Sequence, residues 1–238
     1  MHQETLTYTA DGLTMQSQLF FEPGPLPRAG VLVFPEAFGL GPHAISKAKK
    51  LATLGYVALA CDLHGNAHIA ATLPEAIGLL QPMFDDPSKT RARAAATLQA
   101  LTARPEVDAN RTASIGFCFG GTMSLELARA GGDIRAVVGF HSGLATKNPA
   151  APGTIKPRIL VCIGADDPMI APAQRAEFEA EMRASNADWQ MHLYGNTVHS
   201  FTNEQAGEVN MPKAIRYNAD ADQRSWSALQ TLFAETLA

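Results

Sequence analysis

Residues 112–122 read Thr-Ala-Ser-Ile-Gly-Phe-Cys-Phe-Gly-Gly-Thr, with Cys118 two residues from a glycine on either side, Gly116 and Gly120. An apolar, strand-like run ends at Gly116. Beyond Gly121, the residues Met123, Leu125, Leu127 and Ala128 continue as a helix. The pattern G-x-C-x-G is the thiol form of a nucleophile elbow, a sharp strand-to-helix turn that lifts its central residue clear of the sheet. A Cβ at either glycine would press on the neighbouring chain. The helix N-terminus that follows favours a thiolate and a developing oxyanion. The plainer alternative is a glycine-rich turn whose cysteine is only a small buried hydrophobe.

A thiol nucleophile needs a base within reach and a group that orients the base. The chain supplies both in the order nucleophile, acid, histidine. Asp166 and Asp167 follow an apolar run that ends at Ile163-Gly164. Asp167 is the candidate acid, because the spacing Asp167-x-x-Ile170 puts a small apolar residue where it seats the loop. Capping of a helix beginning near Pro172 is the ordinary job for such aspartates and suits Asp166. His199, in the loop after Trp189–Tyr194, has the chain order and strand-end context of a general base. His192 alternates along a strand, His2 sits at the N-terminus, and His43, His64, His68 and His141 fall in loops. Glu36 follows the run Val31–Phe34, where a second oxyanion donor is built. The backbone N–H groups of Ala37 and Phe119 would then hold the oxyanion.

These residues need a scaffold that gathers strand ends. Thr5–Thr9 and Met15–Phe21 alternate like two strands across the turn signal Asp11-Gly12, predicting an N-terminal hairpin. Buried strands then alternate with helices. Strands are expected at Val31–Phe34, Val57–Cys61, Thr112–Phe117, Ile134–Phe140, Arg158–Ile163 and Trp189–Tyr194. Helices are expected at Ile45–Leu54, Pro172–Ala184 and Asp220–Leu237, and over residues 72–104 with a break near Asp85-Asp86-Pro87. This pattern predicts one α/β domain spanning 1–238, with a mostly parallel sheet covered on both faces. Ligands gather at the carboxyl ends of such strands, where Cys118, Asp167, His199 and Glu36 all fall.

The 238 residues are enough to bury a core without disulfides or metals, and neither a metal nor another cofactor is expected. Nineteen basic against 23 acidic residues give a formal charge of −4 with no basic block, which argues against nucleic acid or an anionic membrane as partner. The polar start is followed by no apolar targeting segment, and no run is long enough to span a bilayer. Cys61, Cys118 and Cys162 form no CxxC pair, which fits a reducing, cytoplasmic setting better than a disulfide framework or zinc site. Nothing in the sequence fixes the oligomeric state.

Four stretches together resemble the dienelactone hydrolase family: Pro35-Glu-Ala-Phe-Gly-Leu40, Ile115-Gly-Phe-Cys-Phe-Gly-Gly121, Gly164-Ala-Asp-Asp167 and Val198-His-Ser-Phe-Thr-Asn203. The tail from Ile215-Arg-Tyr-Asn218 through Arg224-Ser-Trp226 is similar as well. The resemblance implies an α/β-hydrolase fold, a Cys118–His199–Asp167 triad, no cofactor, and a Glu36 that contacts the resting thiol. It also carries a departure. Members acting on dienelactone have an arginine four residues past the histidine to hold the substrate carboxylate, and this chain has Asn203 there. Arg91 and Arg93 are candidates for a second clamp without matching one convincingly. The expected reaction is hydrolysis of an activated, neutral small-molecule ester or lactone through a thioester. Phe38, Met83, Phe84, Phe201 and Asn203 are expected to line the pocket. Attack on an activated phosphotriester, and a redox-responsive thiol without turnover, are the alternatives.

Overall fold

The computed structural model describes all of residues 1–238. Strands β1 (His2–Ala10) and β2 (Leu13–Phe21) form the expected hairpin, paired from Ala10↔Leu13 outward. Asp11 and Gly12 between them have φ of 49° and 74°. Two consecutive positive-φ residues make the tight turn whose twist suits a two-residue hairpin, and Asp-Gly tolerates that conformation best.

The chain then winds through β3 (Arg28–Phe34), α1 (Pro42–Thr53), β4 (Val57–Ala60), α2 (Leu73–Asp85), α3 (Pro87–Thr102), β5 (Val107–Phe117) and α4 (Phe119–Arg129). It continues through β6 (Ala136–Phe140), β7 (Arg158–Gly164), α5 (Pro172–Ala184), β8 (Trp189–Tyr194), a short 3₁₀ turn (Ala206–Val209) and α6 (Ala219–Thr236). Asp86 separates α2 from α3 and caps α3 by accepting the Ser88 N–H at 2.9 Å, which explains the break in the helical pattern.

All eight strands form one sheet in the order β1-β2-β4-β3-β5-β6-β7-β8. The β1–β2 and β2–β4 pairs are antiparallel, and every pair from β4 to β8 is parallel. This is the α/β-hydrolase arrangement. Strands β4 and β6 are buried at every position, so they read as continuous apolar runs, whereas the edge strand β1 alternates. One core lies between the sheet and α2–α5, built on residues such as Leu32, Leu101, Met123 and Phe178. The other lies under α1 and α6, with Val31, Leu51, Phe117 and Trp226.

The first core also contains an ion network. Arg129, with a side chain 1% exposed, meets Glu126 at 3.0 Å and Glu181 of α5 at 2.7 Å, and Arg91 of α3 meets Glu126 at 2.7 Å. Arg91 is thereby committed to structure, and Arg93 is held by Asp11 and the Leu63 carbonyl. Neither is a free clamp for a substrate. No helix is long and apolar enough to cross a membrane.

The parallel register aligns the strand ends. Phe34 pairs with Gly116, Phe117 with Phe140, Phe140 with Cys162, and Gly164 with Tyr194. The loops that leave these positions carry Glu36, Cys118, His141, Asp167 and His199 to one edge of the molecule.

Candidate active site

Cys118 is the N-cap of α4 and has φ 54° and ψ −121°, a conformation that non-glycine residues adopt only under constraint. The constraint comes from close packing. A Cβ on Gly116 would lie 2.0 Å from the Gly120 carbonyl oxygen, and one on Gly120 would lie 2.3 Å from the Phe34 oxygen. The bare backbone therefore lets α4 start directly against β5 and the β3 exit loop. The Cys118 N–H is shared between the Phe140 carbonyl at 3.0 Å and His141 Nδ1 at 3.1 Å.

His199 is pinned by its backbone, donating to the Ala214 carbonyl at 2.9 Å and accepting from the Arg216 N–H at 3.1 Å. Its Nδ1 lies 2.8 Å from Asp167 Oδ2. The other carboxylate oxygen, Oδ1, accepts the Met169 N–H at 2.8 Å, so the acid is fixed at both ends. Asp167 is buried and Asp166 is exposed. Neither caps α5, whose N-cap is Ala171 with no side-chain bond. His199 Nε2 is buried and makes no hydrogen bond. Burial lowers the affinity of this ring for a proton, but the Cys118 charge and the Asp167 hydrogen bond outweigh it and raise the pKa to about 10.

Glu36 departs from expectation. Its carboxylate makes no hydrogen bond to Cys118. Oε1 accepts from Ser200 Oγ at 2.7 Å, and Oε2 accepts from Asn203 Nδ2 at 2.5 Å. The loop after β8 places these two donors opposite the β3 exit loop and draws the carboxylate toward the histidine loop. Ala37, next in sequence, has its carbonyl held by His64 Nε2 at 2.9 Å. Phe119, as the first residue of α4, has no acceptor for its N–H within the helix.

A cavity of about 510 Å³ opens over Cys118 and His199. Glu36, Ala37, Phe38 and Asn203 line it, as do His43, Ser200, Ile69 and Met169. Its wall contains no lysine or arginine. Met83 and Phe84, on α2, lie elsewhere: with Phe119 they line a separate cavity of about 350 Å³. Phe201 is fully buried in the core beneath α6, packed on His141 and Tyr194.

The site also gathers residues that sequence reasoning did not assign to it. His141 is fully buried with φ 42°, and its Nε2 lies 2.9 Å from Thr202 Oγ1. His43, His64, Ser200 and Thr202 complete the polar surroundings. Motif spacing singles out none of these, since each works through a contact with a loop distant in sequence.

The model of the dienelactone hydrolase family matches residues 15–237. The chain belongs to the dienelactone hydrolase family. The solved structure of m3DLH superposes with a TM-score of 0.94 at 41% identity, covering 100% of this chain and 99% of that one. The dienelactone hydrolase-like promiscuous phosphotriesterase P91 from metagenomic libraries gives a TM-score of 0.92 at 40% identity, over 100% and 99% of the two chains. Protein K02A2.1 of Caenorhabditis elegans is 35% identical over 157 residues, covering 65% of this chain and 98% of its own length. As a dienelactone hydrolase family member, the protein is a carboxylic ester or lactone hydrolase.

Proposed function

We propose that the protein hydrolyses activated, neutral carboxylic esters or lactones through a thioester on Cys118. The observation that carries this reading is the state of His199: Nδ1 is bonded to a buried Asp167, while Nε2 has no partner in the cavity that Cys118 lines. Asp167 holds the ring so that Nε2 receives the thiol proton, and the resulting imidazolium is stabilised by the carboxylate and the thiolate together.

The thiolate attacks the carbonyl carbon, and the oxyanion rests on the N–H groups of Ala37, in the loop after β3, and Phe119, at the start of α4. Collapse expels the alkoxide or enolate, which leaves with the proton from His199. Water, deprotonated by His199, then attacks the thioester and releases the acid and the free thiol. A thiolate is itself a good leaving group, so the first step favours substrates whose own leaving group is better: enol esters, aryl esters and strained lactones.

The neutral-substrate reading rests on the wall. It holds no lysine or arginine, and the amide of Asn203 is already donating to Glu36, so no guanidinium or ammonium group there is free to hold a substrate carboxylate. The test is hydrolysis of p-nitrophenyl acetate by wild type and Cys118→Ala, beside an anionic ester of the same phenol. The reading requires a Cys118-dependent rate and a preference for the neutral ester.

A second activity is favoured by one comparison, the 40% identity to a promiscuous phosphotriesterase. The same thiolate would attack phosphorus in an activated neutral triester, with the phosphoryl oxygen in the hole. Release of nitrophenol from such a triester, lost in Cys118→Ala, is the result this reading needs. A purely redox role is disfavoured, because Cys61, just after β4, and Cys162, in β7, are fully buried, and burial pushes both thiols up.

A further inference from the structure

His43, in the first turn of α1, packs edge-on against Phe117 with ring centroids 4.5 Å apart. Its Nε2 lies 3.0 Å from the Thr202 carbonyl, which can only accept, so Nε2 carries a hydrogen. Nδ1 is buried and hydrogen-bonds to nothing. The charged group nearest to it is Glu36, whose Oε2 is 3.6 Å away. A neutral ring with its hydrogen on Nε2 turns the Nδ1 lone pair toward that carboxylate, which is repulsive. A proton on Nδ1 turns the same geometry into an ion pair.

No other group is free to balance Glu36. Its hydrogen-bond donors, Ser200 and Asn203, are neutral. Lys47 on α1 is committed to Asp222 of α6 at 2.8 Å. His141 is held neutral by its contacts, with Nδ1 accepting the Cys118 N–H and Nε2 donating to Thr202, and burial keeps its pKa well below the ordinary histidine value. His199 is paired with Asp167 through Nδ1. That leaves His43.

We propose that His43 is the positioning residue and counter-charge of Glu36, taking a proton from solvent on Nδ1 and thereby cancelling the carboxylate charge in the cavity that holds the Cys118 thiol. The inference rests on the reading of Cys118 as the nucleophile. Burial, the largest influence, pulls His43 below its ordinary value and Lys47 adds to this, while Glu36, the Thr202 carbonyl and Asp222 pull it up. The balance lies below the ordinary histidine value, so the proton on His43 is taken up as pH falls. Because a nearby positive charge favours a thiolate, proton uptake there keeps Cys118 reactive to lower pH than a bare Glu36 would allow.

The test is the pH dependence of Cys118 alkylation by iodoacetamide in wild type, His43→Gln, Glu36→Gln and the double variant. Glutamine keeps a donor near the Nε2 position for the Thr202 carbonyl and removes Nδ1. We expect His43→Gln to raise the Cys118 midpoint by on the order of half a unit, about threefold in rate on the acid limb, and the double variant to titrate like Glu36→Gln alone. An unchanged midpoint in folded His43→Gln overturns the proposal, as does an equal shift in the Glu36→Gln background. Should His43→Gln fail to fold, ¹⁵N NMR of the histidine-labelled wild type and Glu36→Gln decides the matter. A His43 midpoint that falls in Glu36→Gln supports the pair, and one that does not move overturns it. Cys118→Ala run in parallel separates the two levels. Lost ester hydrolysis there, with a His43→Gln profile like wild type, removes the counter-charge and leaves the nucleophile standing. Retained hydrolysis removes the nucleophile, and with it this proposal.

Discussion

His199 Nδ1 and Asp167 Oδ2 lie 2.8 Å apart, with side chains 4% and 0% exposed. An ion pair so thoroughly enclosed has no water to replace a lost partner. Its second effect is directional: it leaves Nε2 as the only ring nitrogen available to a substrate. Asp167→Asn keeps the shape but permits the wrong tautomer, so kcat for an aryl ester should fall by about 10³-fold with KM little changed. Steady-state kinetics on the folded variant checks this; a loss under tenfold contradicts the assigned role.

The same pair makes a pH prediction. A histidine whose folded-state pKa is raised stabilises the fold fully below its unfolded value of about 6.5, and that contribution is lost as pH rises toward about 10. The Cys118 charge is the largest influence raising it. Replacing Cys118 with alanine should therefore lower the His199 midpoint. NMR titration of the His199 ring in both proteins reads this directly, and equal midpoints would show that Cys118 exerts no such field.

The elbow predicts a contrast between two glycines. A Cβ at Gly120 meets the Phe34 and Pro35 carbonyl oxygens at 2.3 and 2.4 Å, backbone atoms that cannot move aside cheaply. Gly120→Ala should cost about 3 kcal/mol and most of the activity. Gly78, exposed in the middle of α2 with nothing within 4 Å of a built Cβ, should gain about 0.5–1 kcal/mol as alanine. Urea denaturation of both variants tests the pair.

Asn203 bears on substrate charge. Asn203→Arg places a guanidinium beside Glu36 in a wall that otherwise has no lysine or arginine. The expected outcome is a KM for an anionic aryl ester about tenfold lower, with a smaller change for the neutral ester of the same phenol. An unchanged preference would mean that position 203 does not face the acyl group.

Much of this architecture was legible in the chain because each signal was local. Strand β8 and helix α5 lie where the apolar alternation and the proline start put them, at Trp189–Tyr194 and Pro172–Ala184. The spacing around Cys118 marks a turn that only glycine allows. What stayed hidden depends on contacts across the sequence. Asp167 is buried against His199 while Asp166 is exposed, and Glu36 turns to Ser200 and Asn203, residues 164 and 167 positions away. Met83 and Phe84 are apolar and helical, as a pocket wall is, but the path of α2 sets them in another cavity. His43, His64 and His141 give no sequence signal, because what distinguishes them is which carbonyl or hydroxyl each ring meets.

The central claim is a covalent thioester on Cys118. Its most direct test is intact-protein and peptide mass spectrometry of samples quenched during turnover of p-nitrophenyl acetate, with Cys118→Ala beside wild type. The account predicts a 42-Da acetyl adduct (roughly the mass of an acetyl group replacing a proton) on the Cys118 peptide of wild type, formed as fast as nitrophenol appears and absent from the variant. Turnover that persists undiminished in Cys118→Ala, or an adduct that maps to another residue, would contradict it.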